Sequence, residues 1–191
     1  MTLIWSPAQP TLNMATAQGD ELVMRPWAHR DADAIHRACQ DPDIVRWTRV
    51  PQPYTLEHAL SFAASSEPGW LGQTSVGYAV VEAATDGVLG ACGLVDINED
   101  DGVVEVGYWV APWARGRGVA TAATRTLSRW ALEELGAHRV SLEAATGNLA
   151  SQRVALASGF TREGVQRSKA QRFGERLDMV LFSLLPGEAR S

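Results

Sequence analysis

Apolar positions along this chain fall into short runs whose period switches between helical and strand-like spacing. From Glu21, ELVMRPW reads as a short strand stopped by Pro26. In HRDADAIHRACQ, Ala32, Ile35 and Cys39 recur at helical spacing with charged residues on the other face, and Pro42 ends the run. The aromatic and proline-rich DPDIVRWTRVPQPYT is expected to form a structured loop. Thr55 suits the N-cap of a second short helix, LEHALSFAASS, which Pro68-Gly69 terminates. Strand character then takes over in SVGYAVVEA, GVLGACGLVDI and VVEVGYWV. Thr85-Asp86-Gly87 and the segment from Asn98 to Gly102 join these runs, and such junctions signal hairpins with antiparallel neighbours. A helix over Thr121 to Leu135 follows, stopped by Gly136. Next come a strand HRVSLEAA, a helix from about Leu149 to Ser158 with Gly159 as its C′ residue, and a strand RLDMVLFSLL closed by Pro186.

The order β-α-α-β-β-β-α-β-α-β places hairpins in the middle and βαβ connections later. That arrangement predicts an α+β (mixed α/β) fold built on one mixed sheet. Residues 1–20 show little periodicity and read as a loose arm, 21–186 as a single domain, and 187–191 as a tail. At 191 residues the chain is long enough for one sizeable core without cross-links. No run of ~18 apolar residues marks a membrane span, and the first residues lack the pattern of a signal peptide. Cys39 and Cys92 form neither a disulfide framework nor a zinc pattern, so a cytoplasmic protein is expected.

Net charge is −5, which argues against nucleic acid as a partner. The charge is unevenly spread: Asp96, Glu99, Asp100, Asp101 and Glu105 precede Arg115, Arg117, Arg125 and Arg129. The decisive stretch is VVEVGYWVAPWARGRGVA, Val103 to Ala120. A strand carrying one carboxylate runs through Pro112 into a glycine- and arginine-rich turn that opens onto a helix. Amides bared by glycine at a helix start, beside fixed positive charge, suit a phosphorylated ligand. One reading of the turn is a dinucleotide fingerprint, Gly116-x-Gly118-x-x-Thr121 with Glu143 further on. It lacks the third glycine, and hairpins rather than a βαβ unit precede it.

The other reading is Arg115-x-x-Gly118-x-Ala120. Together with GYWVAPWARGRGVAT and RWALEELGAHRVSLEAATGNLASQRVALASGFTREG, it resembles the RimJ/RimL-type branch of the GCN5-related N-acetyltransferase (GNAT) superfamily. The resemblance spans about Glu21 to Leu185. It implies a central, mostly antiparallel sheet splayed after its fourth strand and flanked by about four helices. It also implies acetyl-CoA as donor, with its diphosphate on the amides of Arg115, Gly116, Arg117, Gly118, Val119, Ala120 and Thr121. Backbone groups of Trp109, Val110 and Ala111 would bind the pantetheine, Asn148 would bond it, and Arg153 would meet the 3′-phosphate.

Acetyl transfer to an amine needs a base, a stabilised oxyanion and a held or protonated leaving thiolate. Strand alternation puts Glu105 with Gly107 and Trp109 on one face. The resemblance makes Glu105 the general base, acting by direct attack of the amine without an acyl-enzyme. Asn148 and Ser151 read as a helix cap and its N3 residue; by resemblance Ser151 also lies near the sulfur and donates to the thiolate. The family's usual tyrosine acid is replaced here by Ala155.

Trp47, Tyr54 and Trp70 fall where the family walls its acceptor site, although packing over the sheet explains them equally. Cys92 reads as core, and no histidine pair has metal-ligand spacing, so no metal is expected. The expected acceptor is a primary amine, either a protein N-terminus or a small molecule, and a net acidic protein would favour a cationic one. No membrane partner is expected. The resemblance admits a homodimer, for which Met179 to Leu185 offers an apolar strand. The alternative function is a CoA-binding module without catalysis, an idea that the loss of the tyrosine feeds and the presence of Glu105 opposes.

Overall fold

One eight-stranded sheet organises the chain in the computed structural model, which describes residues 3–188. Residues 189–191 of the expected tail, and residues 1 and 2, lie outside the described range. The strands are β1 (Leu12–Ala15), β2 (Glu21–Pro26), β3 (Val76–Glu82), β4 (Val88–Asn98), β5 (Val103–Val110), β6 (Arg139–Ala145), β7 (Thr161–Arg172) and β8 (Glu175–Leu184). Their spatial order is β1-β2-β3-β4-β5-β6-β8-β7. Only β5 and β6 are parallel neighbours; the other pairs are antiparallel. Helices α1 (Ala32–Ala38), α2 (Pro42–Trp47), α3 (Leu56–Ala64) and α4 (Ser66–Leu71) lie between β2 and β3. Helix α5 (Val119–Glu133) joins β5 to β6, and α6 (Leu149–Ala157) joins β6 to β7.

Strand alternation divides the interior into two cores. Tyr78, Val80, Leu94, Val104 and Phe182 pack with Leu127 and Ala131 of α5 on one face. Ala79, Val81 and Ala91 pack with Ile35, Ala38 and Ala59 of α1 and α3 on the other. Burying a large side chain of this kind contributes about 1.5–3 kcal/mol. Both faces of the central strands are covered, which is why GVLGACGLV reads as a continuous apolar run. No helix among the described residues is long and apolar enough to cross a membrane.

Three sequence expectations are corrected, and one strand not read from the sequence is added. The segment read as a loose arm carries β1, which pairs with β2. Leu3 is buried, and Trp5 meets Trp70 edge-on at 5.0 Å while its indole donates to Glu99. The expected loop after Cys39 contains α2. Asp41 accepts the amides of Asp43 and Ile44, and Pro42 occupies the first turn, where no N–H is needed. Pro68-Gly69 does not end a helix but lies inside α4, with the proline again in a first turn. The polar TREGVQRSKAQR is the edge strand β7, in which no residue is fully buried. The strand proposed for a homodimer, β8, lies between β6 and β7, and its Val180, Phe182 and Leu184 fill the chain's own core.

Close strand packing rests on small residues in β4. A Cβ built on Gly93 would lie 2.3 Å from the carbonyl oxygen of Val76 in β3, a backbone atom that cannot swing aside. Gly93→Ala is therefore expected to destabilise the fold by about 1–3 kcal/mol. Urea denaturation measures this, and an unchanged midpoint would contradict it.

Candidate active site

Strands β5 and β6 stay paired for only three residues, from Val103–Arg139 to Glu105–Ser141. Beyond that point β5 remains on β4 as far as Val110, while β6 remains on β8 as far as Ala145. A wedge opens between them, and Glu105 stands at its apex. Pro112 opens a short 3-10 turn, Pro112–Ala114, that carries the chain out of the sheet towards α5.

The hydrogen-bond phase of β5 decides which groups face the wedge. Ala111 N–H donates to Leu89 O at 2.8 Å, which commits Trp109 and Gly107 to β4 as well and turns Tyr108 and Val110 outward. Of the three residues expected to offer free backbone groups, Val110 does so. Trp109 and Ala111 spend theirs on β4, and the Trp109 ring stacks on Trp27 at 6.2 Å in the second core.

Glu105 lies on the face shared with α1 to α3. Burial, then the carboxylates of Glu143 and Asp96, push its pKa up to about 7, while Lys169 and Arg49 pull it partly back. Asp96 is its cross-strand partner, set after a bulge at Val95 whose side chain leans over Gly107. The space that the missing side chain of Gly107 leaves is thus taken by Val95. Glu143 projects from β6 and is paired with Lys169 of β7 at 3.3 Å.

The opposite face carries hydroxyl groups. Tyr108 Oη and Ser151 Oγ lie 2.9 Å apart, so the phenol of β5 reaches across to the start of α6. Asn148 caps that helix by accepting the Ser151 amide at 3.1 Å. Burial pushes the Tyr108 phenol up to about 12, so it stays protonated at neutral pH. Ala155, at the position of the family's tyrosine, is buried in the first core. Cys92 is also buried, its thiol pushed up to about 12 by burial, which fits core rather than nucleophile.

The turn before α5 has the conformation its glycines suggest. Gly116 and Gly118 adopt φ of +79° and +76°, which favour glycine. The first bond of the helix runs from Ala122 N–H to Gly118 O, so the amides of Val119, Ala120 and Thr121 have no partner within it. An added Cβ on Gly116 would meet nothing within 4 Å. Open backbone and the positive end of a helix make this a fitting cradle for a diphosphate. The arginines differ from expectation. Arg115 is ion-paired with Asp41 and Asp43 of the α2 region, and Arg117 with Asp20 and Glu82. In this acidic chain the guanidinium groups brace the turn against its surroundings. Arg153 is exposed on α6.

The three aromatic residues expected to wall the acceptor site separate. Trp47 lies against the β6–α6 loop, its ring 3.4 Å from a Cβ built on Gly147. Tyr54 is buried among α1, α3 and His58, and Trp70 is buried between Trp5 and Trp130. Both are core residues, because the helices between β2 and β3 need bulky filling. Sequence reasoning gave no site role to Tyr108, whose place by alternation is the strand face opposite Glu105, and it missed Glu143, Asp96, Lys169 and Arg49 as neighbours of Glu105. These four come from separate elements, and only the fold brings them to Glu105.

Comparison with known proteins bears on this arrangement. The family described as "Acetyltransferase (GNAT) domain" matches residues 21–161. A Bacillus subtilis protein named "Putative ribosomal N-acetyltransferase YdaF" is 41% identical over 106 residues, covering 54% of this chain and 57% of that protein. "Uncharacterized N-acetyltransferase p20" of Bacillus licheniformis is 24% identical over 92% of this chain and 98% of its own. Among solved structures, Mycobacterium smegmatis RimJ in complex with CoA-disulfide superposes with a TM-score of 0.81. It is 20% identical and the match covers 94% of this chain and 88% of that one, a likeness of fold.

The raised pKa of Glu105 ties stability to pH. Between the ordinary carboxylate range and about 7, the folded chain holds this proton and the unfolded chain does not. The group's contribution therefore falls as pH rises through that window and is least favourable above it. Glu105→Gln is expected to raise Tm relative to the parent at pH 8 and to change it little at pH 5. Equal differences at the two pH values would refute the burial argument.

Proposed function

Because the chain belongs to the acetyltransferase (GNAT) family, whose acetyl donor is acetyl-CoA, we propose that it acetylates a primary amine by direct transfer, with the N-terminal α-amine of a polypeptide as the favoured acceptor. The observation that carries this reading is Glu105, a carboxylate held near pH 7 at the apex of the wedge. A base with that pKa is poised to take a proton at neutral pH. A free α-amine, with pKa ~7.7–8.0, needs little help; a lysine, at ~10.4, needs much more. The name of the Bacillus subtilis relative supports a ribosomal polypeptide as acceptor.

Acetyl-CoA supplies an activated thioester when bound. The amides of Val119, Ala120 and Thr121 hold its diphosphate, and the backbone groups of Val110 and Tyr108 hold its pantetheine arm as an added strand would. Glu105 receives the proton of the amine from the face it shares with α1 to α3. The Tyr108–Ser151 hydroxyl pair, on the other face, donates to the departing sulfur in place of the tyrosine absent at Ala155. Base and donor thus lie on opposite sides of the sheet, so the amine enters from one side and the thiolate leaves towards the other.

Glu105→Gln is expected to lower kcat at least ~10-fold at pH 7 and to remove the rising limb near pH 7, with acetyl-CoA affinity nearly unchanged. Full turnover in that variant would end the case for Glu105 as base. Tyr108→Phe keeps the ring and is expected to lower kcat by about 3–10-fold without raising the KM for acetyl-CoA. A changed KM with unchanged kcat would mark Tyr108 as a binding residue only.

A further inference from the structure

The mouth of the wedge is charged in a way that the chain's overall acidity conceals. Strand β7 bulges between Gln166 and Ala170, where three residues, Arg167, Ser168 and Lys169, stand opposite Asp178 alone. The bulge brings Lys169 to Glu143. Further along the hairpin, the Arg172 guanidinium donates to Val45 O at 3.1 Å and so ties β7 to the end of α2. Arg46, stacked over the Trp47 ring at 4.5 Å, and Arg49 rise from that end of α2. Arg176 turns back onto Ser168. Among the described residues, Arg46, Arg49, Arg167, Arg172 and Arg176 have no carboxylate within salt-bridge distance. Burial and the neighbouring Arg49 push the Arg172 pKa below its ordinary value, a sign of cations crowded together. The acids nearby are mostly engaged: Glu143 is matched to Lys169, Asp41 and Asp43 at the start of α2 to Arg115, Asp178 accepts the Ser168 amide at 2.7 Å, and Glu175 lies at the hairpin turn.

The floor of the same mouth is acidic: Asp96 pairs with Glu105 across β4 and β5, and Glu143 stands two residues beyond Ser141, the β6 partner of Glu105. An occupant that satisfies both layers carries a cation at its head and several anions behind it. Building on the amine-acetylating reading above, we propose that the acceptor is the amino terminus of an acidic polypeptide. Its α-ammonium is drawn to the carboxylate floor, and the acidic side chains that follow lie on the arginine rim formed by α2 and the β7–β8 hairpin. A nucleic acid offers phosphates to the rim but no ammonium to the floor. In this proposal the cationic character expected from net charge belongs to the head group alone.

The test uses the full chain with CoA present. It measures binding of a fluorescent peptide with a free N-terminus and glutamates at positions two to six, its glutamine counterpart, and a single-stranded RNA of equal charge. The acidic peptide is expected to bind about 10-fold tighter than the glutamine peptide, a preference that weakens with salt. In the double variant Arg46→Glu/Arg167→Glu the ratio is expected to fall to about one. Equal affinity for the two peptides, a ratio that survives the double variant, or tighter binding of the RNA would each overturn the proposal. Acetyl-CoA consumption is followed separately. Charge-dependent binding without turnover of any amine would refute the reading of the activity while leaving the rim assignment standing.

Discussion

The early parting of β5 from β6 is the constraint on which the site depends. Two parallel strands that stayed paired would satisfy one another's backbone groups and leave a closed sheet. Here each strand keeps its outer antiparallel partner, and the inner pairing stops after Glu105. Polar backbone groups are thereby left unpaired at Tyr108 and Val110, where an extended ligand can meet them. The same parting exposes Glu105 to one face and the Tyr108–Ser151 pair to the other. One interrupted ladder therefore brings a free strand edge, a buried carboxylate and a hydroxyl pair together within a few residues.

Charge is layered around this wedge rather than spread by composition. Carboxylates gather at its floor, cations line its mouth on one side, and two arginine–carboxylate clusters flank the turn before α5. The surface arginines in such clusters contribute little to stability individually. Their effect is positional. Asp41 both caps α2 and receives Arg115, so the turn and the helix bearing Trp47 are linked through one carboxylate. Burial raises the Asp41 pKa, but Arg115 and the two α2 amides outweigh it and hold the group below its usual range.

Much of this was legible in the sequence, where local rules and tertiary demands agree. The three central hairpin strands, α5, β6, α6 and β8 follow from periodicity and glycine stops, and the structure has them within a few residues. The glycines at 116 and 118 marked the bared turn before α5, and both take left-handed backbone there. Misreadings arose where a residue has two local meanings. Pro42 and Pro68 read as stops yet occupy first turns, and β7 carries no apolar alternation because it buries no face. Tyr54 and Trp70 illustrate the ambiguity of large aromatics, which fill cores as readily as pockets. Partners of Glu105 were beyond sequence reasoning, since Asp96, Glu143, Lys169 and Arg49 meet through sheet order and a bulge.

The carboxylates that hold Arg115 and Arg117 also bear on how fast a polyanion reaches the turn. Asp20, Asp41, Asp43 and Glu82 ring the approach with negative charge, while the helix terminus at its centre attracts. Added electrolyte screens the repulsion and the attraction together. The two effects oppose one another, so the arrival rate of a phosphorylated ligand is buffered against ionic strength. At the arginine rim of the wedge the nearest paired acid is Glu143, matched to Lys169, and five arginines keep no carboxylate partner among the described residues. An anionic group nearing one end of the wedge thus meets a compensated field, and one nearing the other end a cationic one.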